Sequence, residues 1–166
     1  MADHADILGL SSALVDELAA RGKTVATAES CTGGWIAKAI TDVPGSSQVL
    51  GYGIVSYSNS AKQSLLGVKS TTLEAHGAVS AEVVEEMASG ALKLSDASIT
   101  VAVSGIAGPD GGSSEKPVGT VWFAWAVRTG ADIRVDAERQ QFNGDRDQVR
   151  KHTVVYALQG IRERIA

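Results

Sequence analysis

The stretch TVATAESCTGGWIAKAITD, residues 24–42, decides the fold. Its first part, Thr24 to Ala28, is short and rich in β-forming residues, which predicts a strand. Its last part, Gly34 to Asp42, has a helical pattern, and Pro44-Gly45 ends the predicted helix. A polar turn with two glycines joins the two elements. A strand that passes through a short turn into a helix is typical of α/β domains.

The rest of the chain continues this alternation of helices and strands. Before the opening stretch, Leu10, Leu14 and Leu18 repeat every four residues and Gly22 follows, which predicts an amphipathic helix with a glycine stop. The elements predicted after it are strand Val49–Tyr57, helix Asn59–Leu66, a helix capped by Ser80, strand Ser98–Val103, a strand pair Gly119–Val127 and Ile133–Phe142, and a last helix opened by Asp145. This order predicts an α/β fold, a three-layer α/β/α sandwich with a mixed, mostly parallel sheet.

Length and composition predict a single soluble domain over residues 1–166. Hydrophobic residues make up 44% of the chain and charged residues 20%, and the net charge is -4. No Lys/Arg stripe is present, so we expect no nucleic-acid partner. The most apolar window, Val118 to Val127, is far shorter than the roughly 20 residues of a membrane helix, so no membrane partner is expected. Met1 to Asp6 does not resemble a signal peptide, and Cys31 is the only cysteine, which together predict a cytoplasmic protein.

The turn at residues 29–34, Glu-Ser-Cys-Thr-Gly-Gly, is the first candidate site. In open α/β sheets, ligands bind beyond the carboxyl ends of the strands, and this turn follows a strand. Ser30 is a candidate nucleophile, and Gly33 and Gly34 would let a substrate approach the backbone closely. N–H groups around Thr32 to Gly34 could receive an anion or an oxyanion. The alternative is that Ser30 or Thr32 only caps the helix.

Cys31 competes with Ser30 for the role of nucleophile. A thiol at the start of a helix can have a lowered pKa, whereas a lone cysteine is also a common small apolar residue of the core. Side chains of neighbouring residues in extended backbone point to opposite sides. We therefore expect only one of Ser30 and Cys31 to face the cleft.

A second candidate, Tyr57-Ser58-Asn59-Ser60-Ala61-Lys62, also lies between a strand and a helix. A serine hydroxyl needs a base, and a lysine can serve if burial or a nearby cation lowers its pKa. Lys62 could reach Ser30 if the two turns adjoin. The alternatives are a solvated helix lysine at Lys62 and, at Tyr57, a packed strand end in place of a proton relay. None of the histidines lies in a recognisable motif: His4, His76 and His152.

Two further candidates follow later in the chain. The glycine-rich loop that begins at Ser104 and runs to Gly112 matches neither a Walker loop nor a dinucleotide fingerprint. A loop of this kind in a compact domain is usually functional, although a surface turn is the alternative. Arg146 could bind a phosphate or a carboxylate, or could be a solvated arginine beside the helix cap Asp145. One cysteine and three scattered histidines have no metal-ligand spacing, so no metal site is expected.

Taken together, six stretches between about Thr24 and Arg150 resemble the nicotinamide-nucleotide amidases, also known as the CinA C-terminal domain family. Each stretch alone is unspecific, but all of them occur in the order typical of the family: Ala28–Gly34, Tyr57-Ser58-Asn59 with Lys62, His76–Ser80, Ser104–Gly112, Lys116–Val121 and Gly144–Arg146. The resemblance implies a Ser/Lys amidohydrolase that converts nicotinamide mononucleotide to nicotinate mononucleotide and ammonia, in pyridine nucleotide recycling. It implies Ser30 as nucleophile, Lys62 as base and Tyr57 as a supporting proton relay, with no metal or cofactor.

The resemblance also implies a small-molecule nucleotide as the partner, and so a need to hold its phosphate. Together with their places at strand ends, this need predicts a set of substrate-binding residues: Thr32, Gly33, Gly34, Ser104, Gly105, Gly108 and Arg146. We also expect a homo-oligomer, most simply a dimer. Two other interpretations remain at this stage, a non-catalytic nucleotide-binding regulatory module and an amidase that depends on Cys31.

Overall fold

A computed structural model describes residues 4–166, with side chains from Asp6 onward. The prediction that Met1–Asp6 is no signal peptide concerns a segment of which residues 1–3 lie outside this range. The helices are α1 His4–Ala20, α2 Trp35–Thr41, α3 Asn59–Leu66, α4 Ser70–His76, α5 Ala81–Ser95 and α6 Arg146–Ile165. The strands are β1 Val25–Glu29, β2 Leu50–Val55, β3 Ile99–Gly105, β4 Thr120–Thr129 and β5 Asp132–Gln141, and a single 3₁₀ turn spans Ser46–Gln48.

The structure confirms the predicted order of strands and long helices and adds one short helix, α4. Sequence periodicity missed α4 because none of its residues is buried, so it has no apolar face. Its N-cap residue, Lys69, also makes no side-chain capping bond, so the usual start signal is absent. Within residues 4–166, none of the helices combines the length and the hydropathy that crossing a membrane would require.

The sheet has five strands in the order β2-β1-β3-β4-β5. Strand β1 pairs in parallel with both β2 and β3, whereas β4 is antiparallel to β3 and to β5. Four of the five strands therefore run in one direction, although half of the pairings are antiparallel. Helices α1, α2 and α6 cover one face of the sheet and α5 covers the other, with α3 and α4 packed against α5. The predicted three-layer α/β/α sandwich with a mixed sheet is confirmed.

The carboxyl ends of three parallel strands meet at one edge of this sheet. Glu29 at the end of β1 pairs with Val55 of β2 and with Val103 of β3. The next residue along each strand, Ser30, Ser56 or Ser104, therefore lies at the same level. A backbone hydrogen bond fixes the position of Ser30 beside β3, because Ser30 N donates to the Val103 carbonyl at 3.1 Å. The fold thus places the turn at residues 29–34 between the segments that follow β2 and β3.

A glycine in the middle of α5 lets α3 pack unusually close to that helix. A Cβ atom at Gly90 would overlap the carbonyl oxygen of Leu66, the last residue of α3. Glycine in a helix interior costs about 1 kcal/mol relative to alanine, so a packing reason for it is expected. Here the reason is that the end of α3 rests directly on the backbone of α5.

Candidate active site

Helix α3 carries Lys62 to the hydroxyl group of Ser30. The Lys62 Nζ atom lies 2.9 Å from Ser30 Oγ, although the two residues are 32 positions apart in the chain. The helix starts as predicted, because the Ser58 hydroxyl caps it by accepting a hydrogen bond from Ala61 N at 3.0 Å. Lys62 is only 1% exposed and Ser30 is 8% exposed. Lys62 is therefore not the solvated helix lysine that was its alternative interpretation.

The surroundings of the Lys62 amine favour its neutral form. Burial lowers the pKa of Lys62 below its ordinary value. Besides Ser30, the amine contacts the backbone carbonyl oxygens of Ser56 at 3.0 Å and Tyr57 at 3.2 Å. Among residues 6–166 no carboxylate forms an ion pair with it. A neutral amine has two N–H groups for the two carbonyls, which leaves its lone pair for the Ser30 hydroxyl.

The buried carboxylate of Glu29 holds the turn that carries Ser30 through hydrogen bonds. Its oxygens accept hydrogen bonds from the Thr32 hydroxyl at 2.6 Å and from the backbone N–H groups of Ile36 at 2.8 Å and Ala37 at 3.0 Å. Burial raises the pKa of Glu29, and these hydrogen bonds act in the opposite direction. Glu29 thus caps α2, and the alternative that Ser30 or Thr32 caps it is wrong, because the N-cap position is Gly34.

The structure also changes which N–H groups of this turn are available to a ligand. Gly33 N donates to the Ser30 carbonyl at 3.1 Å, and Gly34 N–H is directed at the Glu29 carboxylate. The N–H groups of Cys31 and Thr32, in contrast, donate to no backbone acceptor among the described residues. Of the predicted group around Thr32 to Gly34, the Thr32 N–H therefore remains available, and the Cys31 N–H takes the place of the two glycine N–H groups. Gly33 and Gly34 both have left-handed backbone angles, with φ of 60° and 101°, which explains why glycine occupies these positions.

Cys31 turns away from the site. Its side chain is buried in the core formed by α1, α2 and α6, opposite to the hydroxyl of Ser30. Burial, with a smaller contribution from the charge of Glu29, raises the pKa of its thiol to about 12. A thiol of this kind remains protonated at neutral pH and is a poor nucleophile. The geometry therefore favours Ser30 over the Cys31 alternative.

Arg146 joins three of the candidate segments. Its Nη2 donates to the Tyr57 hydroxyl at 3.1 Å, and its Nη1 donates to the Gly108 carbonyl at 2.7 Å. Asp145 and Gln148 form a capping box at the start of α6, and the Arg146 side chain extends over the site instead. The Tyr57 side chain is 60% exposed, and its hydroxyl lies with Arg146, whereas only its carbonyl contacts Lys62.

The glycine-rich loop leaves the end of β3 beside Ser30. Val103 packs in the core on the α1, α2 and α6 face, so the next side chain, Ser104, faces the α5 side. Ser104 is buried there, on the same side as Lys62. A Cβ atom at Gly105 would collide with β4, and Gly108 has a left-handed φ of 82°. Both glycines therefore shape the loop through their backbone.

Sequence reasoning missed Arg150, which contacts the Ser30 turn from α6. Its Nε donates to the Cys31 carbonyl and its Nη2 to the Thr32 carbonyl, both at 3.1 Å. A signal was present, because Arg150 lies four residues after Arg146 and so on the same side of the helix. Across residues 6–166, no group of three or more His, Cys, Asp or Glu side chains is arranged to hold a metal ion.

Comparisons with known proteins agree in one family. The model of the CinA C-terminal domain matches residues 8–165. The Nicotinamide-nucleotide amidohydrolase PncC of Escherichia coli (strain K12) is 56% identical over 154 residues, 93% of this chain and 92% of the relative. The protein of the same name from Pseudomonas putida is 54% identical over 155 residues, 93% of this chain and 94% of the relative. The crystal structure of the competence/damage inducible protein CihA from Agrobacterium tumefaciens superposes with a TM-score of 0.89 at 44% identity, covering 95% of this chain and 94% of that one.

Proposed function

The chain belongs to the CinA C-terminal domain family, and we propose that it hydrolyses the carboxamide of nicotinamide mononucleotide to nicotinate mononucleotide and ammonia. The observation that carries this proposal is the buried amine of Lys62, which lies 2.9 Å from the Ser30 hydroxyl with no carboxylate paired to it among residues 6–166. A serine with a neutral lysine at hydrogen-bonding distance is an activated nucleophile. The names of the similar proteins supply the substrate.

In the first step, neutral Lys62 takes the proton of Ser30 Oγ, and this oxygen attacks the carboxamide carbon. The carbonyl oxygen of the substrate becomes an oxyanion in the tetrahedral intermediate. We assign its stabilisation to the N–H groups of Cys31 and Thr32, which have no backbone acceptor of their own in the described chain. Loss of one such donor typically costs roughly 3 kcal/mol of transition-state stabilisation.

In the second step, the protonated Lys62 gives its proton to the substrate nitrogen and ammonia leaves, so that the acyl group remains as an ester on Ser30. A water molecule then attacks the ester, and Lys62 takes one proton from this water and returns it to Ser30 Oγ as the acyl group leaves. The second proton of the water passes to solvent when the new carboxyl group ionises. The positive charge of the substrate's pyridinium ring makes its carboxamide carbon more electrophilic. The same charge disfavours protonation of Lys62 in the complex.

Tyr57 has a supporting role in this mechanism. Its carbonyl oxygen, 3.2 Å from Lys62 Nζ, orients the amine toward Ser30. Its hydroxyl, which accepts a hydrogen bond from Arg146, lies at the rim of the site. A proton relay through Tyr57 is not needed for the first transfer, because Lys62 and Ser30 are already at hydrogen-bonding distance.

We propose that Arg146 binds the phosphate, with the Ser30 turn (Thr32, Gly33 and Gly34) and the glycine-rich loop (Ser104, Gly105 and Gly108) enclosing the rest of the nucleotide. Arg146→Ala is then expected to raise KM for the mononucleotide by roughly 10-fold or more, because a hydrogen bond to a charged group contributes about 1.5–3 kcal/mol. KM for free nicotinamide is expected to change little, since nicotinamide has no phosphate. Steady-state ammonia release from both substrates measures this difference.

A matched control for this variant is Arg134→Ala. Arg134 is an exposed arginine of β5, and it lies at the opposite end of the sheet from Ser30. Arg134→Ala is expected to leave KM unchanged for the mononucleotide and for nicotinamide. If Arg146→Ala lost activity equally on the mononucleotide and on nicotinamide, the role of Arg146 would instead be structural, namely to hold Tyr57 to Gly108.

The experiment that tests the function is ammonia release by the purified protein from nicotinamide mononucleotide, nicotinamide riboside and nicotinamide. We expect the mononucleotide to be the best substrate, because phosphate binding far from the amide can be used to orient it. A non-catalytic regulatory module would bind the mononucleotide, measured by calorimetry, without releasing ammonia. The further expectations of a cytoplasmic homo-oligomer that acts in pyridine nucleotide recycling remain part of this proposal, and light scattering measures the oligomeric state.

A further inference from the structure

A guanidinium group from the last helix is bonded to the outer side of the turn that carries Ser30. Arg150 of α6 donates two hydrogen bonds to successive carbonyl oxygens of this turn, those of Cys31 and Thr32. Its guanidinium carbon also lies 5.5 Å from the ring centroid of Trp35, at the start of α2. Among residues 6–166 no carboxylate forms an ion pair with Arg150. Its hydrogen bonds are therefore directed to the backbone of the turn.

These hydrogen bonds determine the direction of one N–H group. The Cys31 carbonyl and the Thr32 N–H belong to the same trans peptide, so they point in opposite directions. Arg150 draws the carbonyl toward α6, on the sheet face that α1, α2 and α6 cover. The Thr32 N–H is consequently expected to point away from α6, toward the side on which Ser30 meets Lys62.

The charge of Arg150 adds to this geometric effect. A cation bonded to a carbonyl oxygen polarises the whole peptide group, and its N–H becomes a stronger hydrogen-bond donor. The effect is greatest where water is largely excluded, and the adjoining Ser30 and Lys62 side chains are both buried. Such a donor interacts more strongly with an oxyanion than with the neutral carbonyl of the bound substrate, so it lowers the barrier rather than improving binding.

We propose that Arg150 is a positioning residue, which orients and polarises the Cys31–Thr32 peptide so that the Thr32 N–H stabilises the oxyanion of amide hydrolysis. This inference rests on the proposed function, because it requires attack by Ser30 on a carboxamide. Arg150 contacts the backbone of the turn, and its effect on the reaction passes through that backbone.

The test compares Arg150→Met and Arg150→Lys with the wild-type protein. Methionine keeps most of the side-chain stem and removes the charge and both hydrogen bonds. We expect kcat for the mononucleotide to fall roughly 10- to 100-fold in Arg150→Met, as when an oxyanion donor is impaired, with KM within about two-fold of wild type. Lysine keeps the charge and can bond only one carbonyl at a time, so kcat of Arg150→Lys is expected to lie between the other two.

A second readout separates positioning from general damage to the fold. The aldehyde analogue of the substrate, pyridine-3-carboxaldehyde mononucleotide, can form a hemiacetal with Ser30 whose oxygen occupies the oxyanion position. Its affinity is expected to fall in parallel with kcat in Arg150→Met. Affinity for the mononucleotide itself, measured with each Arg150 variant in the Ser30→Ala background, is expected to stay unchanged. If Arg150→Met does not fold, Arg150→Lys is the variant on which both readouts are made.

The matched control is Arg162→Met, which removes another partly exposed arginine of α6 that pairs with Glu17 away from the site. It is expected to lower the melting temperature without lowering kcat. An active wild-type protein whose kcat is unchanged in Arg150→Met, or falls only as far as in Arg162→Met, overturns the role of Arg150 and leaves the proposed function intact. A wild-type protein that releases no ammonia from any carboxamide overturns the proposed function, and the role of Arg150 with it.

Discussion

Ser30→Ala is expected to lower ammonia release from nicotinamide mononucleotide by a factor of about 10⁴ or more, because it removes the oxygen that we propose as the nucleophile. The fold is expected to survive, since the change deletes one hydroxyl at a turn whose backbone is held by Glu29. Turnover is measured by coupled ammonia detection, and circular dichroism with thermal unfolding checks the fold. Calorimetry is expected to show that the variant still binds the mononucleotide.

The matched control for this experiment is the neighbouring variant Cys31→Ala. Because the Cys31 thiol is buried in the core and its pKa is raised to about 12, most of the activity is expected to remain. A modest loss of stability is expected, because a buried side chain becomes smaller. An inactive Cys31→Ala beside an active Ser30→Ala would refute the proposed mechanism.

If Lys62 is the base, Lys62→Arg and Lys62→Met are both expected to lower kcat by a factor of about 10³ or more. Arginine keeps the positive charge, but its guanidinium stays protonated at any working pH and cannot accept the Ser30 proton. Methionine keeps much of the stem and has no basic atom. If Lys62 acted only as a positive charge, arginine would restore much of the activity and methionine would not. Substantial turnover by Lys62→Arg would therefore leave Ser30 in need of another base.

The pH dependence of the wild-type enzyme tests the same assignment. Burial lowers the pKa of Lys62, so its neutral fraction rises as the pH increases through this lowered value. We expect kcat to increase with pH along a limb whose midpoint lies below the ordinary lysine pKa of 10.5. This limb is expected to be absent from the residual activity of both Lys62 variants. A limb that persists in Lys62→Met would assign it to another group.

Much of the fold could be predicted because its elements carry local signals. The alternating strands and helices and the caps at Ser80 and Asp145 all depend on residues close in sequence. The meeting of Ser30 with the segment that precedes Lys62 also follows, because the carboxyl ends of neighbouring parallel strands share one edge of a sheet. Helix α4 has no buried face, so nothing in the pattern of its side chains marks it.

The parts of the site that could not be predicted depend on interactions between side chains and backbone across the fold. The pattern of residues 59–66 does not show whether Lys62 faces solvent or the core, and only the packing of α3 shows that it is buried. Glu29 caps α2 from upstream of the N-cap position, and Arg150 bonds to carbonyls 118 and 119 residues away. Side-chain type and spacing do not reveal such contacts, since any residue can supply a backbone carbonyl.

The close packing at Gly90 means that the distance between Lys62 Nζ and Ser30 Oγ is set by how two helices pack. Helix α3 carries Lys62, the proposed base, and how near this helix comes to the sheet is limited by the backbone of α5, which it touches at Leu66. A side chain at position 90 would act as a spacer and displace the base, even though this residue never meets a substrate. Transplanting the serine turn and the lysine segment onto another α/β protein would therefore not reproduce the pair. An engineer would have to move both helices together and treat their separation as the quantity to be designed.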